Sequence, residues 1–207
     1  MIIGLNGVSE VGKDEVGRIL RMKYNAATFA LADKVREFAL AVDPWVPIDP
    51  YVDVDAKHAR GQFVRLSKLV QEVGWDAAKK NKEVRRLLQR IGTEGGRNVV
   101  GEKVWIKLIE EEIRTAKTYK KNMNVPIVIT DVRFLNEADW IRSRDGIVIR
   151  VTRPGYGPVN DHVSDNVTDT SLWDYVLPND GTLEQLELRV VREIGPLLAE
   201  KTHAPQA

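Results

Sequence analysis

Seven residues near the start of the chain carry its clearest chemistry. Gly7-Val8-Ser9-Glu10-Val11-Gly12-Lys13 fits G-x-x-x-x-G-K, the phosphate-binding P-loop. Glycines at both ends let the backbone turn its N–H groups inward around an anion. A helix starting there adds the partial positive charge of its N-terminus. Lys13 then reaches the outer phosphates as a point charge. The motif wants Ser or Thr next, whose hydroxyl holds Mg²⁺, but this chain has Asp14 and Glu15. A carboxylate ligates Mg²⁺ directly or through water, so the metal site is altered and not removed. The candidate phosphate-binding set is Gly7, Val11, Gly12, Lys13, Asp14 and Glu15. The alternative is a glycine turn that merely starts a helix.

Further along, Asp131 ends a buried apolar run, Val125 to Ile129, at the place where open α/β sheets bind ligands. There it would hold Mg²⁺ or orient a substrate hydroxyl, or else cap the helix that follows. Arg133 lies two residues on and suits phosphate by its forked guanidinium; a surface ion pair with Glu137 is the other reading. Gln89, Arg90, Thr93, Glu94 and Arg97 form a polar cluster around Gly92, Gly95 and Gly96. They read as a second phosphate site or as a helix C-cap at Gly92 with a solvated turn. Arg150 and Arg153 flank the start of a polar stretch that contains His162, Ser164 and Asp165. Positive charge beside a mobile loop is what phosphoryl transfer uses to exclude water after substrate binds. His162 reads as a structural or substrate-contacting residue, because His58 and His203 are too distant in sequence to join it on a metal.

These residues need a scaffold, and the apolar pattern supplies one. Met1 to Leu5 reads as a buried parallel strand, and Val11, Val16, Ile19 and Leu20 as one helix face over 13–23. A short strand is expected at 26–29 and a helix at 32–42. Three prolines (Pro44, Pro47, Pro50) then force a loop over 43–50. Helices follow at 63–73, 84–91 and 102–117, with a glycine-rich turn at 92–97. Strand 125–131, helix 134–144 and strand 146–151 make a βαβ unit, so the sheet is parallel. A mobile loop at 152–169, a short strand at 175–177 and a helix at 182–198 close the fold.

The chain has 207 residues, a net charge of +1 and no cysteine. Disulfides and thiolate metal sites are therefore excluded. Near-neutral charge without a basic run argues against broad nucleic-acid or membrane binding, and no apolar run approaches the roughly 18 residues of a membrane span. The amino terminus reads as a core strand and not as a signal peptide. The expectation is a single cytoplasmic α/β enzyme domain.

With those pieces in order, the sequence resembles the phage-type deoxynucleoside monophosphate kinases. The matching segments are Ile3 to Leu5 with Gly12-Lys13-Asp14, and Phe29-Ala30-Leu31-Ala32-Asp33-Lys34. Further on come Leu87-Leu88-Gln89-Arg90-Ile91-Gly92-Thr93-Glu94-Gly95-Gly96-Arg97 with Trp105, Thr130-Asp131-Val132-Arg133-Phe134-Leu135-Asn136-Glu137, and His162-Val163-Ser164-Asp165. The resemblance implies a three-layer P-loop fold with a parallel sheet: a core at 1–42, 125–151 and 170–200, a helical nucleotide-binding part at about 43–124, and a lid at about 152–169. It implies transfer of the ATP γ-phosphoryl to a deoxynucleoside monophosphate with Mg²⁺. Lys13, Asp131, Arg133 and Arg153 would be catalytic, and Asp14 and Asp131 the metal ligands. Asp33, Lys34, Gln89, Arg90, Thr93, Arg97, Trp105, Asp131 and Arg133 would bind the acceptor, and Arg150, Arg153, His162 and Ser164 would belong to the lid. Asp14 matches the family's loop, whereas Glu15 departs from it, as does Asp165, more mildly. The implied partners are ATP and deoxynucleotides, with no nucleic acid or membrane; a homodimer stays open, and a phage-encoded chain would work in its host's cytoplasm. Rival readings are a P-loop kinase for phosphomevalonate or dephospho-coenzyme A, and a nucleotide-binding regulator without transfer chemistry.

Overall fold

The computed structural model describes residues 1–48, 62–119, 125–157 and 170–202. His58, His162, Ser164 and most of the expected lid lie outside the described residues. In chain order the strands are β1 (Ile2–Asn6), β2 (Ala27–Phe29), β3 (Trp45–Pro47), β4 (Phe63–Arg65), β5 (Ile127–Ile129), β6 (Ile147–Thr152) and β7 (Tyr175–Pro178). The helices are α1 (Lys13–Tyr24), α2 (Leu31–Val42), α3 (Leu66–Ala78), α4 (Lys82–Gln89), α5 (Val104–Tyr119), α6 (Leu135–Arg142), α7 (Leu183–Glu193) and α8 (Gly195–Thr202). They group into two compact units, one of Met1–Leu31 with Ile109 onward, the other Ala32–Leu108.

The first unit is built on a five-stranded parallel sheet in the order β2-β5-β1-β6-β7. Its central strand is apolar because both faces are covered. Ile3 and Leu5 are fully buried on the face that α1 and α7 cover through Val16, Ile19, Leu20, Leu186 and Val190. Gly4 points the other way: a side chain there would lie 2.5 Å from Cδ1 of Ile141 on α6. Helix, sheet and helix therefore make three layers, the α/β architecture expected. Each such Ile or Leu contributes about 1.5–3 kcal/mol by leaving water. Among the described residues no helix is long and apolar enough to cross a membrane.

The second unit departs from expectation in two places. The proline-rich 43–50 stretch contains β3, which pairs antiparallel with β4. Proline is tolerated because this is a two-stranded edge ribbon, and the Pro47 carbonyl is used by the Asn81 side chain at 2.6 Å. β4 takes residues expected to start a helix, so α3 begins only at Leu66 and is broken by Gly74 at φ 75°.

The other correction concerns 92–97, which is neither a turn nor a C-cap. A π-helical segment, Arg90–Val100, continues directly from α4, and the Gly101 amide donates to the Gly96 carbonyl at 3.0 Å, five residues back. Such segments are rare and usually a single turn. Trp105 explains this one. Its indole N–H donates to the Gly92 carbonyl at 2.8 Å, and its ring lies where a Gly96 side chain would be, 2.4 Å from that ideal Cβ. Gly96 lacks a side chain, and the ring lies against its backbone. At the other end of the chain, the single helix expected over 182–198 is two, α7 and α8.

A methyl group at Gly96 meets both the indole and the Ile91 carbonyl. Gly96→Ala should therefore cost about 1–3 kcal/mol by overpacking. The check is the urea midpoint, with an unchanged m-value showing that unfolding remains cooperative.

Candidate phosphate-binding site

The loop between β1 and α1 has the backbone that its glycines allow. Gly7 sits at φ 150° with the Val151 carbonyl 2.7 Å from where a Cβ would be, and Gly12 is left-handed at φ 99°. Lys13 is the first residue of α1, with Asp14 and Glu15 in its opening turn. The Lys13 ammonium donates to the carbonyls of Gly7 at 2.8 Å and Val8 at 2.6 Å, so it lies across the loop that precedes it. Burial, followed by the Arg133 guanidinium, holds its pKa below the ordinary lysine range; Asp14 and Asp131 oppose this and Arg150 adds to it. Four charged groups thus act on one ammonium; counting Lys13 with Arg133 and Arg150 against Asp14 and Asp131, three of the five charges are positive.

The remaining phosphate-loop calls have different places. The Val11 side chain is core, 1% exposed, and only its backbone belongs to the loop. Glu15 is engaged one turn on by Arg18, which approaches to 2.6 Å and holds the carboxyl below the ordinary glutamate range.

Asp131 follows β5 and does cap a helix, but not the next one. Its Oδ1 accepts from the Leu31 amide at 2.8 Å, the first amide of α2. The α6 start is served by Glu137 instead, buried at 4% exposure and accepting from the amides of Arg133 at 2.8 Å and Phe134 at 3.1 Å. Asp131 can therefore anchor α2 through one oxygen and still lie near Lys13. Arg153 is exposed, its guanidinium 5.1 Å from the Tyr156 ring. Arg150 is not in the lid segment; it lies within β6, on the sheet itself.

The acceptor-site calls Asp33, Lys34, Gln89, Arg90, Thr93, Arg97 and Trp105 all fall in the second unit. Asp33 pairs with Arg36 at 2.7 Å, Lys34 with Glu37 at 2.9 Å, and Arg90 with Glu94 at 3.4 Å. Arg97 is buried at 8% exposure, while Gln89 and Thr93 are half-buried. Trp105, expected among the substrate contacts, has a packing role: it is 5% exposed and its N–H is taken by Gly92.

Two asparagines were missed. Asn179, just past β7 and 8% exposed, donates to the Val11 carbonyl at 2.9 Å, and its amide nitrogen would be 2.5 Å from a Gly12 Cβ. It holds a loop carbonyl in place and fills the space that a Gly12 side chain would need. Asn6, the last residue of β1, is 5% exposed. The available signal for both was a polar residue directly at the carboxyl end of an apolar strand. Asn179→Ala leaves the buried Val11 carbonyl without its donor and should cost about 1–3 kcal/mol. Gly12→Ala should weaken tripolyphosphate binding at least tenfold, measured by calorimetric titration.

With this geometry established, comparison with known proteins is specific. A family model described as deoxynucleotide monophosphate kinase matches residues 39–190, well over half of the chain. The deoxynucleotide monophosphate kinase of Escherichia phage RB69 is 29% identical over 110 residues, 52% of this chain and 43% of that one. The enzyme of the same name from Enterobacteria phage T4 is 32% identical over 106 residues, 50% of this chain and 42% of that one. The chain's matches thus span less than half the length of these two curated relatives. Among solved structures, shikimate kinase from Aquifex aeolicus aligns over 99% of this chain and 100% of that one, at 13% identity and a TM-score of 0.44. A phosphate loop at the head of a parallel sheet and a family match across most of the sequence lead to one assignment: this chain belongs to the deoxynucleotide monophosphate kinase family.

Proposed function

We propose that the protein transfers the γ-phosphoryl group of ATP to a deoxynucleoside 5′-monophosphate. The observation that carries this is the half-buried Lys13 ammonium at the loop mouth, accompanied by Arg133 and Arg150. An acceptor phosphate oxygen bonds to the γ-phosphorus while the bond to the β,γ-bridging oxygen breaks and ADP departs. The acceptor is already anionic, so what the chain supplies is positioning and positive charge. Lys13 and the loop amides hold the donor phosphates, and Arg133 faces the same edge. Arg90, Arg97, Gln89, Thr93, Asp33 and Lys34 are proposed for the acceptor. Arg153 is proposed for closure over the phosphates.

Among the described residues no cluster of three or more acidic or histidine side chains could cage a metal. Two carboxylates, Asp14 and Asp131, both act on Lys13, and such a pair with phosphate oxygens and water fits Mg²⁺, which keeps waters and binds through one or two carboxylates. The ion would neutralise charge between the β- and γ-phosphates.

ADP release in a coupled assay with ATP and each of the four deoxynucleoside monophosphates tests the reaction; turnover only on a non-nucleotide acceptor overturns it. Lys13→Ala should abolish transfer with the fold retained. Phosphate affinity requires the charged lysine, so it should fall as pH rises through the lowered Lys13 pKa, at a lower pH than for an ordinary lysine. Calorimetric titrations across alkaline pH check this, with Lys13→Arg removing the trend. Asp131→Asn keeps an oxygen for the Leu31 amide but removes the charge. A hundredfold loss in kcat, about 3 kcal/mol of barrier, with an unchanged melting temperature separates metal or acceptor orientation from the helix cap.

A further inference from the structure

Arg150 has a setting that the lid assignment does not explain. It lies on β6 directly beside Asn6 of β1, the residue that precedes Gly7. Its Nη1 donates to the Asn6 Oδ1 at 2.6 Å, and its guanidinium carbon stands 4.8 Å from the Trp173 ring. Burial lowers its pKa, and it acts electrostatically on Lys13. Among the described residues no carboxylate is paired with it. A desolvated guanidinium presents five donors, and here a neutral carbonyl and an aromatic face hold it in place while leaving its charge uncompensated. That combination is costly for a fold and is suited to an anion that arrives later.

Asn6 is the other half of the device. Its amide nitrogen donates to the Val132 carbonyl at 2.8 Å, while the Val132 amide donates to the Leu5 carbonyl at 3.0 Å. The buried Asn6 side chain therefore spans the carboxyl ends of three adjacent chain segments, taking its own orientation from Val132, three residues past β5, and passing it to Arg150 on β6. An aspartate there would neutralise the guanidinium, and an aliphatic residue would release it. Asparagine fixes the direction and leaves the charge.

We propose that Arg150 is a fixed phosphate-contacting cation of this site and that Asn6 is the residue that positions it, with Trp173 as the second support. This rests on the phosphate-binding reading of the loop and adds to it a cation that is in place before any segment closes. The chemistry recognised is a polyphosphate chain, bound by Lys13 and Arg150 together.

The test is a titration of the full chain with tripolyphosphate, followed by calorimetry and by tryptophan emission, in the wild type, Lys13→Ala, Arg150→Met, Asn6→Leu, the Arg150→Met/Asn6→Leu double variant and Trp173→Phe. Arg150→Met keeps an apolar stem against Trp173 and removes the charge. The expected result is a loss of tenfold or more in affinity for Arg150→Met and a comparable loss for Asn6→Leu. In the Arg150→Met background, Asn6→Leu should have little further effect, since a positioning residue has nothing left to position. An emission change on binding should be present in the wild type and much reduced in Trp173→Phe. Guanidinium added to Arg150→Ala should restore part of the transfer rate and restore none in Lys13→Ala. Wild-type affinity in Arg150→Met alongside lost affinity in Lys13→Ala overturns the assignment and leaves the loop reading standing. Additive losses in the double variant reduce Asn6 to a structural amide. No tripolyphosphate binding by the wild type overturns the loop reading as well.

Discussion

The parallel pairing of β1 between β5 and β6 is the constraint on which the rest depends. Because the strands run the same way, their carboxyl ends share one edge, and every loop that leaves that edge starts near the others. Register then assigns neighbours: Gly4 stands beside Ile129 on one side and Val148 on the other, and Asn6 beside Arg150. The hydrophobic term holds this arrangement. Ile3, Leu5, Val128, Ile129, Val148 and Ile149 are all fully buried, and a slip of one residue in β1 would put a bulky side chain where only Gly4 fits against Ile141.

What that edge collects is charge in an environment that disfavours it. Lys13 bonds to two carbonyls of its own loop, Arg150 to an amide oxygen and an aromatic face. Neutral partners satisfy the hydrogen bonds without cancelling the charge, and burial lowers both pKa values. The polyphosphate proposed for this site would relieve that desolvated charge, so that what weakens the free protein would strengthen its complex. Surface pairs such as Arg18–Glu15 and Arg114–Glu111 act otherwise: both partners are in water and contribute little.

The second unit solves a different problem with a related device. In the π-helical segment Gly96 admits an indole against the backbone, and the Gly92 carbonyl accepts its N–H. Trp105 thereby holds open a wide helix that carries Arg90, Thr93 and the buried Arg97. The residues proposed for the acceptor lie in and beside the segment that this packing supports.

Much of this was legible in the residues. G-x-x-x-x-G-K after an apolar strand determined the loop, its lysine and the parallel sheet, because chirality and burial leave few alternatives for strand-helix-strand spacing. Asp131 and Arg133 could be placed at the sheet edge for the same reason. What sequence could not settle was anything set by neighbours distant along the chain. Asp131 caps α2, a hundred residues earlier, because β2 and β5 pair. The 92–97 glycines read as a turn until Trp105 occupies the space beside them. Asn6, Asn179 and Trp173 are unremarkable by type, and only the fold brings them against Arg150 and the loop. Local pattern determines elements and motifs through period and backbone freedom; tertiary contact decides which polar side chain meets which charge.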